Sequence, residues 1–414
     1  MINSPSHQSA AQKPKLFYGY VVVALAFIIM SVMYITRSAF GVFFKPMLEE
    51  LDWTRAAISG AVSLSLIIQG SLAIIMGGLN DRLGPRLVLT LCNLLLVAGL
   101  ILMSQIQTIW HMYVFYGLMI GIGMSGCLVP LLSTVARWFV KWRNVMSGIV
   151  VAGIGVGSLI APPIANHLIT IHDWRLAYII LGIFILVIAT VSIQFVKREP
   201  AQAGQMPYNP GNTARRELKR EVTEFSLRET MHTGRFWMTS GIFFCLGFSM
   251  FSIMVHLVPH VTDLDISPVT AAAILAAMGG VSIIGNVAAG PIADRIGNRY
   301  VCVISLFIMA ATLVWLIWIV QIWMFYLFAV LFGFFSGTCV TTESPIVAEL
   351  FGLKSHGSIL GFISFSFTVG AAVGPLLMGY IFDVNSSYQI AFLIGAVVSL
   401  AGTISSILLR PTTE

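Results

Sequence analysis

Charge is scarce in this sequence. Only 23 Lys and Arg and 17 Asp and Glu occur among 414 residues, or 10% of the chain, against 57% hydrophobic residues. Soluble domains carry about 25% charged residues, so a water-covered globule of this size is excluded. Cysteine is scarce as well. Cys92, Cys127, Cys245, Cys302 and Cys339 all fall in apolar segments without metal-ligand spacing. That excludes a disulfide framework or a cysteine metal site and leaves small buried hydrophobes. No nucleophile elbow, phosphate-cradling Gly-rich loop behind a strand or metal-ligand cluster is present, so neither an enzyme nor a cofactor is expected. The first apolar run lacks a small-residue cleavage site, which predicts a retained span instead of a cleaved signal peptide.

What is present is a series of apolar runs, each of about 20 residues or more, the length that crosses roughly 30 Å of hydrocarbon as a helix. Twelve spans are predicted, at 18–44, 54–79, 86–104, 110–136, 144–169, 174–197, 235–260, 268–293, 299–320, 322–349, 355–381 and 386–409. Hydrocarbon offers nothing to an open strand edge, so all twelve are expected to be helices. The net charge of +6 gathers in alternate loops, at Lys13, Lys15, Arg82, Arg86, Lys141, Arg143, the 197–235 stretch, Arg295, Arg299, Lys354 and Arg410. By the positive-inside rule those loops and both termini face the cytoplasm, and the excess charge reports topology in an inner (plasma) membrane, not a nucleic-acid partner.

GGLNDRLGPR at Gly77–Arg86 returns as GPIADRIGNR at Gly290–Arg299, a shift of 213 residues that also carries Gly148 to Gly361, Gly157 to Gly370 and Pro162 to Pro375. The chain is therefore an internal repeat. Residues 1–197 form one six-helix bundle and 235–414 another, with 198–234 as a cytoplasmic linker in which RRELKREVTEFSLRE reads as a short amphipathic helix. An even number of spans in each half makes the repeat parallel, about an axis along the membrane normal.

The doubled connector resembles the loop between the second and third helices of the major facilitator superfamily, Gly-x-Leu-x-Asp-Arg-x-Gly-x-Arg. The resemblance covers the whole chain and implies an all-α fold of two pseudo-symmetric six-helix halves that rock about a central cavity. SAFGVFFKPMLEELDWTRAAIS at 38–59, HLVPHVTDLDIS at 256–267 and IVAELFGLKSHGSILG at 346–361 are similar to the bacterial monocarboxylate-transporter branch, which includes relatives of the oxalate/formate exchanger. What this resemblance implies is proton-coupled transport of a small organic acid by a monomer, with anion exchange and a non-transporting sensor as alternatives. It also implies an arginine on the eighth helix that anchors the substrate carboxylate. Here that position is Asn286.

Asp81, Arg82, Arg86, Asp294, Arg295 and Arg299 in the connectors are read as gate and helix-end charges, with Arg137 and Glu349 at neighbouring span ends as their partners. The repeat separates these scaffold residues from candidates for substrate, because Arg37 maps to Met250, His256 to Phe43, Asn286 to Ala73 and Glu343 to Pro130. Intramembrane ionisable groups mark function by default. Arg37 either holds a carboxylate with its planar fork or snorkels outward, lying roughly 10 Å from the outer end of its span. Glu343 is the expected proton site, the competing reading being a pairing that locks helices. His256 is a second proton candidate, sharing a helix face with His260, or else an interfacial hydrogen-bonding residue. Tyr34, Tyr113 and Tyr116 are potential phenolic donors or interface anchors, and Tyr116 is preferred to Tyr113. Ser364 and Ser366 are weaker substrate candidates. Asn286, about 10 Å from its inner helix end, and Glu343, about 9 Å from its own, are expected at one depth.

Overall fold

The computed structural model describes residues 17–51, 53, 55–208 and 226–409. Twelve helices are long and apolar enough to cross a membrane. They are α1 (Tyr18–Leu51), α2 (Arg55–Leu83), α3 (Pro85–Met103), α4 (Ile109–Trp138), α5 (Arg143–Ile171) and α6 (Trp174–Phe195), followed by α7 (Gly234–Thr262), α8 (Pro268–Ile296), α9 (Asn298–Leu316), α10 (Ile322–Phe351), α11 (His356–Asn385) and α12 (Gln389–Leu408). Each half has six, so the starts of α1 and α7 and the ends of α6 and α12 share one side, here the terminal face. The other side is the far face.

Local chemistry sets the ends. Gly84 and Gly297 both stand at positive φ, 85° and 89°, before α3 and α9. A side chain would be strained there, which is why both connectors carry glycine at that position. Asp173, Thr233 and Ser267 cap α6, α7 and α8 by accepting from the backbone N–H of Leu176, Phe236 and Thr270. Two helices are interrupted. α4 contains a π-helical stretch, Tyr113–Ile120, and a further break at Gly126 and Cys127. α10 breaks at Thr342, so that Glu343 opens its second segment. Pro345 cannot supply an N–H to the preceding turn, and the ladder gives way there.

Within each half the repeat is visible in the packing: α1 lies on α5 and α6, α7 on α11 and α12, α3 on α6 and α9 on α12. Between halves, α2 packs on α11 and α5 on α8. Residues 198–208, assigned to the linker by the sequence, are held on the first half. Arg198 Nη2 donates to the Asp81 carbonyl at 2.6 Å, Tyr208 N to the Trp138 carbonyl at 2.9 Å, and Tyr18 N to Gln205 Oε1 at 2.9 Å. Leu227–Met231, a short helix with a Ser226/Glu229 capping box, packs on α7 and α11. The rest of the expected amphipathic helix, 215–225, lies outside the described residues.

Candidate functional site

Two polar clusters lie at different depths, one among α1, α2 and α4 of the first half and the other where α8, α10 and α11 meet. The first is nearer the far face, Arg37 lying seven residues before the end of the apolar Tyr18–Phe44 stretch. Arg37 turns inward: its Nη1 donates to Gln69 Oε1 at 2.9 Å, and both line a small cavity with Ser65, Leu66, Tyr116 and Ile120. The guanidinium is thus bonded to α2. No carboxylate lies within 4.0 Å of the Arg37 guanidinium among the described residues. Tyr116 sits in the π-helical stretch with its ring centroid 4.5 Å from that of Phe40, within electrostatic reach of Arg37. Tyr34 is within electrostatic reach of both Arg37 and Glu343, and meets Gln69. Tyr113 is set against Gly60 instead, near the far face.

The second cluster is deeper toward the terminal face, roughly 12 Å from the ends of α10 and α11 at that face. Glu343 is 5% exposed, and Ser364 Oγ donates to its Oε1 at 2.5 Å. Ser364 is therefore placed as the partner of this carboxyl and not on the wall that carries Arg37. Ser366 is turned back on its own helix, bonded to the Phe362 carbonyl. Asn286 shares the depth of Glu343 as expected, joined to α10 through Thr341, whose Oγ1 is 3.3 Å from Asn286 Oδ1. Its position is inside the α5–α8 seam, with the Asn286 carbonyl against Gly148, and not on the Arg37 cavity. An added Cβ at Gly148 would come within 2.2 Å of that carbonyl.

His256 lies apart from both clusters. Its Nε2 is 2.9 Å from the Pro375 carbonyl, which only accepts, so this nitrogen carries the proton; Nδ1 faces the Tyr388 hydroxyl at 3.2 Å. The ring thereby ties α7 to α11 and to the turn before α12. His260 is enclosed by the rings of Phe325, Tyr388 and Phe392.

Below the second cluster the terminal face is shut. Asp81 accepts from the backbone N–H of Gly357 at 3.2 Å and of Ser358 at 3.0 Å, in the first turn of α11, and from Arg137 Nη2 at 3.1 Å. A carboxylate at a helix N-terminus meets unpaired N–H groups and the positive end of the helix dipole. Glu199 lies 3.7 Å from the other Arg137 nitrogen. The repeat-related Asp294 has one partner among the described residues, Asn144 Nδ2 at 3.3 Å, at the start of α5. Glu349 takes Asn298 Nδ2 at 2.9 Å, so it meets the second connector through an asparagine. Arg86 donates through Nε to the Val196 carbonyl at 2.6 Å, and Arg299 donates to the carbonyls of Ser406 and Ile407; each arginine caps the last helix of its half. Arg82 and Arg295 are exposed at the terminal face. Between α10 and the first half, Ser344 Oγ reaches the Leu132 carbonyl at 3.4 Å, and His356 Nε2 donates to the Ser344 carbonyl at 3.0 Å.

Gln69 is the residue sequence reasoning missed. The repeat maps it to Ser282, so the same ruler that exposed Arg37 marks it too. A neutral amide, unlike a charge, draws no notice within an apolar span.

Twelve membrane helices in two repeated halves, with polar groups between them and one end shut by matched connectors, define a multi-pass carrier for a small molecule. The chain belongs to the Major Facilitator Superfamily, whose model matches residues 26–285 and 237–414. It is therefore a transporter. Monocarboxylate transporter 12 of Rattus norvegicus is 28% identical over 97% of this chain and 86% of its own length. Monocarboxylate transporter 13 of Rattus norvegicus is 25% identical over 93% and 87%. Among solved structures, the Major Facilitator Superfamily transporter FucP in the outward conformation superposes with a TM-score of 0.75 at 14% identity, covering 94% of this chain and 99% of that one. The human organic anion transporter MFSD10 gives 0.73 at 16%, covering 96% and 100%. These two likenesses speak for the fold alone.

Proposed function

We propose that this protein carries a small organic acid together with a proton, by alternating access, across the inner (plasma) membrane with both termini in the cytoplasm. The observation that carries the reading is Arg37: a guanidinium turned into a cavity between helices, held by a neutral amide and left without a carboxylate among the described residues. A planar cation in that setting suits a carboxylate. The names of the relatives, monocarboxylate transporters, agree with it. The family's usual arginine on the eighth helix is absent, and Arg37 takes the anion in its place, with the Tyr34 and Tyr116 hydroxyls beside it.

Glu343 is the proton site in this reading. It has one hydroxyl partner and no cation within 4.0 Å among the described residues. Rocking of the halves opens the seam at Glu343 to water in one state and dries it in the other, a change of surroundings by which a carboxyl exchanges a proton. One proton moving with one monoanion transfers no net charge, so the pH gradient drives uptake and the membrane potential does not. The test is uptake of lactate, pyruvate, acetate or oxalate by buffer-loaded proteoliposomes under an imposed pH gradient. Glu343→Gln is expected to abolish gradient-driven accumulation while sparing counterflow. Absence of gradient-driven uptake of all four acids by the wild type would sink the reading.

Anion exchange without a proton is the second reading. It is favoured by the separation of Glu343 from the Arg37 cavity. Counterflow that persists unchanged when the pH gradient is collapsed, with Glu343→Gln silent, would select it.

A further inference from the structure

We infer that Gln69 is the positioning residue of the anion anchor: its amide oxygen fixes the Arg37 guanidinium, and its lack of charge leaves that guanidinium free for a carboxylate. The inference rests on the reading of Arg37 as the anion-binding group. Gln69 lies near the middle of α2, about 21 Å along the helix from either end. A side-chain amide at that depth needs a partner, since unpaired polar groups in hydrocarbon are costly. Its oxygen finds one in Arg37 Nη1 at 2.9 Å.

The bond is not a scaffold bond. α1 is packed mainly on α5 and α6 and only grazes α2. The second half does without the pair altogether, having Met250 and Ser282 at the equivalent positions. What the bond does is orient. A guanidinium carries five N–H donors on a plane, and bidentate binding of a carboxylate needs two of them presented along one edge. Arg37 hangs on a flexible chain, and pinning one Nη fixes the plane while leaving the remaining donors for a ligand. The cavity around it is bounded by Leu66, Ile120 and Met124 beside Ser65 and Tyr116, with Arg37 as its one cation among the described lining residues. The cavity is about 10 Å³ in this state, so a ligand enters only when rocking of the halves widens it; its lining then offers one cation beside apolar and hydroxyl side chains, a pattern for a monocarboxylate with no second cation for a dianion.

The identity of residue 69 then matters in a specific way. A glutamate there would pair with Arg37 and occupy the position of the anion; a leucine would leave the guanidinium unoriented. In proteoliposomes with labelled pyruvate, Gln69→Leu is expected to raise KM by about tenfold with kcat within about twofold of wild type, the signature of lost ground-state binding. Gln69→Asn should recover part of that loss. Gln69→Glu should be nearly inactive from about pH 7.5 down to about pH 5.5, because pairing with Arg37 keeps its carboxyl ionised below the ordinary glutamate value of about 4.3. A merely structural glutamine would instead lower kcat with the amount of folded protein, leave KM unchanged and gain nothing from asparagine. Thermal unfolding in detergent separates misfolded variants from those altered in binding. Wild-type KM in both Gln69→Leu and Gln69→Glu, with Arg37→Ala inactive, would overturn the role of Gln69 alone. Wild-type pyruvate KM in Arg37→Ala would remove the anchor reading itself.

Discussion

The two seams between the halves begin from the same ten-residue connector and end up held differently. In both, a glycine lets backbones touch: Gly148 faces the Asn286 carbonyl across α5–α8, and Gly361 faces the Ala73 carbonyl across α2–α11. All four positions are related by the 213-residue repeat. The aspartates diverge. Asp81 collects two backbone N–H groups, the Ser358 hydroxyl and Arg137, whereas the exposed Asp294, among the described residues, meets Asn144 alone. A repeated motif has thus kept its helix packing and lost the equality of its charges. The α2–α11 seam is the latch of the terminal face, and the α5–α8 seam is held mostly by close contact.

The strongest way to break the comparison is through the glycines, where both seams should respond alike. Gly148→Leu or Gly361→Leu places a side chain where backbone atoms stand 2.2 and 2.5 Å from an added Cβ. Either is expected to hold the terminal face open and stop uptake, with new cysteines in the seam becoming reactive to thiol reagents. Normal uptake by either variant would show that the seam does not need to close this far. The aspartates should then separate. Asp81→Asn keeps the shape and removes the charge, and a charge-assisted bond to a buried partner is worth about 1.5–3 kcal/mol, enough for a tenfold or larger loss of uptake. Asp294→Asn should stay within about threefold of wild type. Equal losses would dissolve the distinction between latch and contact seam.

The smallest effect is expected at the far face, where the halves also differ. The first half clasps α1 to α6 by Glu50, which accepts from Arg175 at 2.8 Å and from Trp174 at 2.5 Å. The repeat puts Asp263 and Tyr388 at the positions of Glu50 and Arg175, and Tyr388 is bonded to His256. Hydrogen bonds from Arg175 and Trp174 hold the Glu50 carboxyl below its ordinary range. A lowered folded value means the clasp stabilises above the unfolded value, about 4.3, and is lost as pH falls through the folded one. Because the Glu50 side chain is 48% exposed, solvent screening limits the contribution to less than about 1 kcal/mol. Glu50→Gln should lower the melting temperature slightly near neutrality, and wild type and variant should become equal once the pH has fallen through the lowered folded value. A difference that persists in acid would assign the clasp to packing.

The helices were legible because hydrocarbon permits little else, and the repeat was legible because both connectors need glycine at a positive φ and charges at a helix end. Arg37 and Glu343 were legible as places where one half departs from the other. Their surroundings were not. Asn286 stands out in the sequence as a replaced arginine, yet it is packed in a seam; His256 looks titratable, yet both ring nitrogens bond within its own half. Ser364 reads as one serine among several until α11 sets it against Glu343. Helical spacing says which residues share a face of one helix, and nothing about which neighbour that face meets.

By itself, then, the sequence determined a membrane protein of twelve helices in two parallel halves, since run length, missing charge and the 213-residue repeat leave no other economical way to satisfy the backbone in lipid. The tertiary structure alone decided which polar groups meet. The bond from Gly357 to Asp81 spans 276 residues of chain and that from Ser344 to Leu132 spans 212. Contacts so distant are fixed by how one half docks on the other, a matter of surfaces formed only after every helix is in place.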